Sequence, residues 1–153
     1  MLQTFLENEI FVRLMRMHVH ETLELLFQEG VHFSILTNIA EVSFDPPLPD
    51  SITRGFKPIT MFVLAGYTYE SARVDEAVLV FEAGFGKENV GSVVHVPLSA
   101  ILQIVIEETP VLINLSIPKE GDKGFEGPHQ GGVEKSMEAL LSNPENQKLF
   151  RKP

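Results

Sequence analysis

The stretch AVLVFEAGFGKENVGSVVHVP (Ala77–Pro97) decides the fold class that this sequence predicts. Ala77–Phe85 and Ser92–Val96 are rich in valine, leucine and phenylalanine, the residues that favour strands. The intervening segment Gly86–Gly91 has the composition of a turn, so the two runs are predicted to pair as a β-hairpin. A sheet built outward from this hairpin is therefore expected to be mostly antiparallel.

Further strands are predicted on both sides of the hairpin. They are Val31–Leu36, Ile39–Phe44, Ile59–Leu64 and Val111–Ile117. The proline-rich Asp45–Pro58 is predicted to be a loop, because prolines cannot lie in a central strand, and Gly66–Glu76 is predicted to be turn-like. The segment PLSAILQIVIEE (Pro97–Glu108) is predicted to be a short helix, since proline is favoured at the first helical position.

The N-terminal residues have the apolar spacing of one long helix, Thr4–Glu29, which is expected to end at Gly30. Two apolar faces are present. The face expected to pack on the body of the protein contains Leu6, Ile10, Leu14 and Met17. The second face contains Phe11, Met15 and Thr22. This second face indicates either a wide core-facing surface or the seam of a homodimer.

The composition changes after residue 117, which predicts a folded domain at 1–117, a Gly/Pro-rich linker at 118–132 and a tail at 133–153. The linker cannot bury enough apolar surface to offset its ordering entropy. Within the tail, apolar residues at i, i+4, i+7 and i+8 predict a short amphipathic helix. They are Val133, Met137, Leu140 and Leu141.

The overall charge excludes several classes of protein. The chain has 153 residues, a formal net charge of −9 and no cysteine. An acidic chain is poorly suited to nucleic acid or to an anionic membrane surface. The absence of cysteine excludes disulfides, thiolate zinc sites and cysteine catalysis. We therefore expect a cytoplasmic protein with no nucleic-acid or membrane partner.

The sequence has no catalytic signature. His18 and His20 are two residues apart on a helix, whereas a helical metal pair needs a spacing of four. No nucleophile elbow, dinucleotide fingerprint or phosphate loop occurs. We therefore predict that the protein is not an enzyme and that it has no metal or cofactor.

The run FEAGFG (Phe81–Gly86) is the candidate binding surface. Phe81, Ala83 and Phe85 fall on one face of the predicted strand, and Glu82 and Gly84 fall on the other. Small residues beside aromatic ones predict a shallow apolar trough with accessible backbone, which suits an extended peptide. The alternative is that the aromatic side chains fill the core and that Gly84 marks a bulge.

Two segments resemble the stringent starvation protein B (SspB) family, which comprises adaptors of the ClpXP protease. FEAGFG with VVHVPLSAILQIVIEE (Phe81–Glu108) resembles the family's FNARFGG and VPLAAVLAIYARE region. LMRMHVHETLELLFQEGVHFSIL (Leu14–Leu36) resembles the family's leading helix and first strand. Gly84 and Lys87 depart from the family pattern, which has arginine and glycine there.

The resemblance implies an α+β fold, with a long N-terminal helix followed by an Sm-like, strongly bent small antiparallel β-barrel and one short helix. It implies a homodimer formed through the leading helix and a groove for ssrA-tagged or other client peptides. The groove residues would be Phe81, Ala83, Gly84, Phe85 and Val96. The tail would dock on the N-terminal domain of ClpX through Lys148, Leu149, Phe150 and Arg151. The alternative is an SspB-like binding module or scaffold with a different protein partner.

Overall fold

A computed structural model describes residues 1–118, which fold as a mixed α+β structure with a long N-terminal helix and two antiparallel sheets. The predicted α+β class is therefore confirmed. Nearly all of the predicted linker and the whole of the tail, including the predicted docking residues Lys148–Arg151, lie outside the described residues.

The helices are α1 (Leu2–Leu6), α2 (Glu9–Gln28), α3 (Asp50–Thr53) and α4 (Gly66–Ser71). The strands are β1 (Phe33–Asn38), β2 (Ser43–Asp45), β3 (Ile59–Leu64), β4 (Arg73–Val74), β5 (Val78–Phe85), β6 (Val90–Pro97), β7 (Ile101–Ile106) and β8 (Thr109–Ile113). Two 3₁₀ turns, Ile39–Glu41 and Leu98–Ala100, connect strands. The short helices α3 and α4 occupy segments that the sequence predicted to be irregular.

The predicted single N-terminal helix is interrupted at Asn8. The Asn8 side chain accepts hydrogen bonds from the backbone N–H groups of Ile10 and Phe11, at 2.8 and 3.1 Å. It therefore caps α2 and separates it from α1, since an asparagine at this position satisfies amides that the helix leaves unpaired. At the other end Gly30 has φ +70°, the left-handed conformation expected of a residue that follows a helix.

The expected orientation of α2 is wrong. Its buried side chains are Val12, Val19, Leu23 and Leu26. Ile10, Leu14 and Met17, which were expected to pack on the body, are 69 %, 55 % and 51 % exposed. Both stripes have a spacing close to 3.6 residues, so periodicity alone could not decide which one faces the core.

The residues predicted for the dimer face lie on the side of α2 that turns toward the body. Phe11, Met15 and Thr22 are half-buried. Met15 packs against the core, and the Phe11 ring lies 4.7 Å from the Phe5 ring. The large apolar side chains that α2 leaves more than half exposed are instead Ile10, Leu14, Met17 and Leu25, which we call the α2 stripe.

Within residues 1–118 the strands form two separate four-stranded sheets, and no closed barrel is present. The first sheet has the order β3-β1-β7-β8 and the second has the order β2-β6-β5-β4. Both sheets contribute to one core, which α2 also joins through Val19, Leu23 and Leu26. The predicted hairpin is confirmed as β5 and β6, paired from Val78 opposite Pro97 to Phe85 opposite Val90.

The short helix predicted at Pro97–Glu108 is wrong. This segment forms the 3₁₀ turn Leu98–Ala100 and then β7, which lies between β1 and β8 in the first sheet. Every β7 residue from Ile101 to Val105 is buried. A short, continuous apolar run is compatible with either a buried helix or a buried strand, and here tertiary pairing and β-branched side chains favour the strand.

The turn between β7 and β8 consists of two glutamates with positive φ. Ile106 pairs with Thr109, and Glu107 and Glu108 between them have φ of 48° and 74°. Two-residue hairpin loops of this type favour Asn-Gly, because most L-residues are disfavoured at positive φ. The two glutamates therefore cost conformational free energy at this turn that an Asn-Gly pair would not.

Replacing Glu107 by Asn together with Glu108 by Gly is expected to raise the free energy of unfolding by about 1 kcal/mol, because both new residues tolerate positive φ. Urea denaturation checks this. The matched control is Glu107→Gln with Glu108→Gln, which removes the same two charges and leaves the conformational cost unchanged. An equal gain in the control would show that charge repulsion, and not backbone geometry, limits the turn.

Candidate functional site

The hairpin of β5 and β6 carries a cleft on its outer face. Gly84 lies directly opposite Gly91, and the floor of the cleft is bare backbone at Gly91, where no atom lies within 4 Å of the position of a Cβ. The cleft has a volume of about 480 Å³. Its lining residues are Asp45, Pro46, Tyr67, Thr68, Glu82, Ala83, Gly84, Asn89, Gly91, Ser92 and Val93. Glycine in a strand interior permits the close approach of another backbone.

The two sides of the cleft each present a carboxylate. On one side the Tyr67 hydroxyl donates a hydrogen bond to Glu82 at 2.7 Å. This hydrogen bond and the negative charge of Glu82 raise the pKa of Tyr67, so the phenol stays protonated over a wider pH range. On the other side Asp45 pairs with Val93 of β6.

Beyond Val80, the edge of β5 that faces away from β6 pairs with no other strand of residues 1–118, and α4 packs beside it. The partner strand β4 pairs only with Leu79 and Val80. Beyond this point the Glu82 N–H donates to the Ser71 hydroxyl at 2.9 Å, so it points away from β6. Backbone groups two residues apart on a strand point the same way, so those of Gly84 also face this edge, where no strand of residues 1–118 pairs with them. An added strand could therefore pair with β5 next to the glycine floor.

Asn89 covers one end of this floor. Its side chain is the nearest group to the position that a Cβ on Gly84 would occupy, and the two would overlap. Asn89 has φ 52° at the hairpin turn. A ligand that approaches Gly84 therefore meets the Asn89 amide, which can both donate and accept hydrogen bonds.

The structure separates the sequence-predicted binding residues into two groups. Phe81 and Val96 are fully buried, and Phe85 packs among the rings of Phe44, Phe56 and Phe62. Ala83 and Gly84 line the cleft. The aromatic face of the predicted trough therefore belongs to the core, and the accessible backbone lies on the opposite face of the strand.

Sequence reasoning missed Gly91, Tyr67, Glu82 and Asp45 as lining residues. Gly91 was assigned to the predicted turn, and pairing Phe85 with Ser92 across that turn would put Gly84 opposite Val93, whereas the structure puts Gly84 opposite Gly91. Tyr67 and Asp45 could not be found in this way, since only the packing of α4 and the pairing of β2 bring them to the hairpin.

A second and larger cleft, of about 910 Å³, lies between α2 and the loop that precedes β5. Its lining includes basic residues, Arg13 and Arg16, and acidic residues, Glu21 and Glu76. Because the charges are mixed, this cleft indicates no single ligand chemistry. Among residues 1–118 no group of three or more metal-binding side chains is assembled.

No protein-family model matches the sequence, and a comparison with curated proteins gives no match either. No helix within residues 1–118 is both long enough and apolar enough to cross a membrane.

Proposed function

We propose that this protein is a non-enzymatic, cytoplasmic adaptor that binds an extended client peptide, of the ssrA degradation-tag type, and delivers it to the ClpXP protease. The observation that carries the proposal is the cleft over Gly91, next to the part of the β5 edge that pairs with no strand of residues 1–118. The resemblance of Phe81–Glu108 to the SspB adaptors supports it, since this segment includes β5, β6 and β7.

The client would bind by strand addition. Backbone hydrogen bonds to the β5 edge at Gly84, which no described strand pairs with, would supply affinity, and side-chain contacts across the cleft would supply specificity. Gly91 allows the client backbone to approach the hairpin closely, whereas the space beside Gly84 is taken by the Asn89 side chain. Tyr67 and Asp45 then stand on opposite sides, where they can contact alternate side chains of an extended peptide.

The finer details of the fold belong to the same proposal. Two antiparallel sheets behind a leading helix are compatible with an SspB-like, strongly bent small barrel. The homodimer would form through the α2 stripe, because this is the apolar surface of α2 that the described body leaves exposed. The tail residues Lys148–Arg151 would dock on the N-terminal domain of ClpX.

The charge of the cleft supports a second candidate, an SspB-like binding module with a different partner that is not linked to ClpX. Asp45 and Glu82 are both carboxylates, and the described lining contains no lysine or arginine. Such a cleft favours a peptide that carries a positive charge. Client charge therefore distinguishes the two candidates.

Gly91→Val is expected to weaken peptide binding at least tenfold, about 1.4 kcal/mol, because the new side chain fills the cleft floor. No atom lies within 4 Å of the position that its Cβ would take. Valine also favours strands, so the fold should be retained. Fluorescence anisotropy with a labelled ssrA peptide and with a lysine-bearing peptide of the same length measures the effect.

Gly91 is a better test than Ala83, because Ala83 also packs against the core and a bulky side chain there would disturb it. The matched control is Thr109→Val, on an exposed position of the first sheet. If Gly91→Val remains stable and binds as tightly as the wild type, the cleft is not the peptide site. Binding of the lysine-bearing peptide alone would favour the second candidate. Delivery to the protease is tested by measuring ClpXP degradation of a tagged substrate with and without this protein.

A further inference from the structure

The outer edge of β5, which faces away from β6, is occupied in two different ways. Val80 pairs with Arg73 of β4. If β4 continued backward in the same register, Ser71 would lie opposite Glu82. The Ser71 hydroxyl accepts a hydrogen bond from the Glu82 N–H at 2.9 Å. A side chain of α4 therefore takes the place that the backbone of an added strand would occupy at Glu82.

This contact leaves a short edge for a client strand. Backbone groups that face the outer edge recur at every second residue. Gly84 is therefore the only such residue of β5 beyond Glu82, since the strand ends at Phe85. Strand addition derives its affinity from main-chain hydrogen bonds, and one residue supplies a single pair of them. Access to Glu82 would double the number of residues with which the client can pair.

Hydroxyl groups on two faces of α4 tie this helix to its neighbours. Toward β5, the Tyr67 hydroxyl donates to the Glu82 carboxylate at 2.7 Å. On the opposite face, the Tyr69 hydroxyl donates to the C=O of Leu26, near the end of α2, at 2.9 Å. The Tyr69 ring also lies 5.3 Å from the ring of Phe27. The helix α4 therefore bridges the β5 edge and the C-terminal end of α2.

The helix itself is marginal. It has six residues, none of them buried, and Ala65 before it provides no side-chain cap. A helix this short has little stability of its own. It begins at Gly66, which has φ +57° and no atom within 4 Å of the position of a Cβ. Short elements with few buried side chains are the parts of a protein that open locally at low free-energy cost.

We propose that α4 is a latch on the outer edge of β5, closed over Glu82 in this structure, and that it moves away to admit an extended client strand. Opening breaks the contacts of Tyr67 and Ser71 with Glu82 and frees the Glu82 amide for the client. The proposal rests on the strand-addition site proposed above, because it concerns access to that site. The latch lowers the apparent affinity for the client according to the fraction of molecules in which α4 is open.

Hydrogen exchange of single amides, followed by NMR in the full chain, tests the latch without any peptide. Tyr67→Phe removes one tie and leaves the hydrogen bond between Ser71 and the Glu82 N–H in place. We expect the Glu82 amide to exchange about fivefold faster in this variant, the effect of losing one hydrogen bond. The Phe81 amide, which faces β6, should exchange at the wild-type rate.

Tyr69→Phe is the second variant, because its hydroxyl bonds to the end of α2 and not to Glu82. It should also accelerate exchange at the Glu82 amide, since α4 opens as one unit. The control is Thr53→Ala, which removes a hydroxyl that donates within α3 and should leave this rate unchanged. If Tyr67→Phe and Tyr69→Phe both exchange at Glu82 at the wild-type rate, α4 does not open and the proposal is overturned.

Peptide binding tests whether opening admits the client. Tyr69 does not line the cleft, so Tyr69→Phe is expected to bind the labelled ssrA peptide or the lysine-bearing peptide about fivefold more tightly, through a larger open fraction. Equal or weaker binding than that of the wild type would overturn the latch and leave the proposed function standing. Failure of both peptides to bind, with faster exchange at Glu82 in the two variants, would overturn the proposed function and support the opening of α4.

Discussion

Phe81→Ala is expected to lower the free energy of unfolding by about 3–5 kcal/mol, the range for removing a large buried aromatic side chain. Phe81 has 0 % exposure, and its ring centroid lies 5.6 Å from that of Phe62 in the first sheet. Truncation therefore leaves a cavity where the two sheets meet. Because small domains are stable by only about 5–15 kcal/mol, this loss is a large share of the total, and urea denaturation measures it.

The matched control is Phe5→Ala, since Phe5 is 54 % exposed and the same atoms are removed. Its expected loss is below about 1 kcal/mol. The result also distinguishes the two interpretations of the FEAGFG run. If Phe81→Ala left stability unchanged and weakened peptide binding instead, Phe81 would belong to a ligand trough and not to the core.

Leu14→Glu is expected to weaken the proposed homodimer at least hundredfold, about 2.7 kcal/mol. Leu14 lies at the middle of the α2 stripe and is 55 % exposed in the single chain, so the substitution should not disturb folding. In a symmetric seam each dimer would bury two new carboxylates in an apolar environment, which is costly for an unpaired charge. Sedimentation equilibrium over a range of concentrations measures the dissociation constant.

Ser51→Glu is the control for added charge, because Ser51 is exposed on α3 and lies outside the stripe. It should leave the dissociation constant nearly unchanged. A wild-type protein that remains monomeric at high micromolar concentration would contradict the dimer. Equal weakening by the two substitutions would show that overall charge, and not the α2 stripe, controls association.

The elements predicted correctly are those in which neighbouring residues all favour the same local structure. The β5–β6 hairpin combines strand-forming runs with a turn segment, and β3 is a clear apolar run. The end of α2 near Gly30 follows from the tolerance of glycine for positive φ. These predictions depend on interactions within a few residues of each other, which a single sequence contains.

The prediction of β7 as a helix failed for the opposite reason. The run Ile101–Ile106 pairs with β1 and β8, and its β1 partners are more than 60 positions away along the chain. A fully buried strand has no alternating polar residues to distinguish it from a buried helix. Pro97, expected to begin a helix, instead ends β6.

The sequence by itself determined the fold class, the hairpin and the presence of small residues at positions 83, 84 and 91. Only the tertiary structure decided which face of each element is buried. On α2 it selected Val12, Val19 and Leu23 over an equally periodic stripe, and on β5 it directed the aromatic side chains inward and Gly84 outward. The physical reason is that periodicity defines faces, whereas the choice between two apolar faces depends on the distant residues that pack against them.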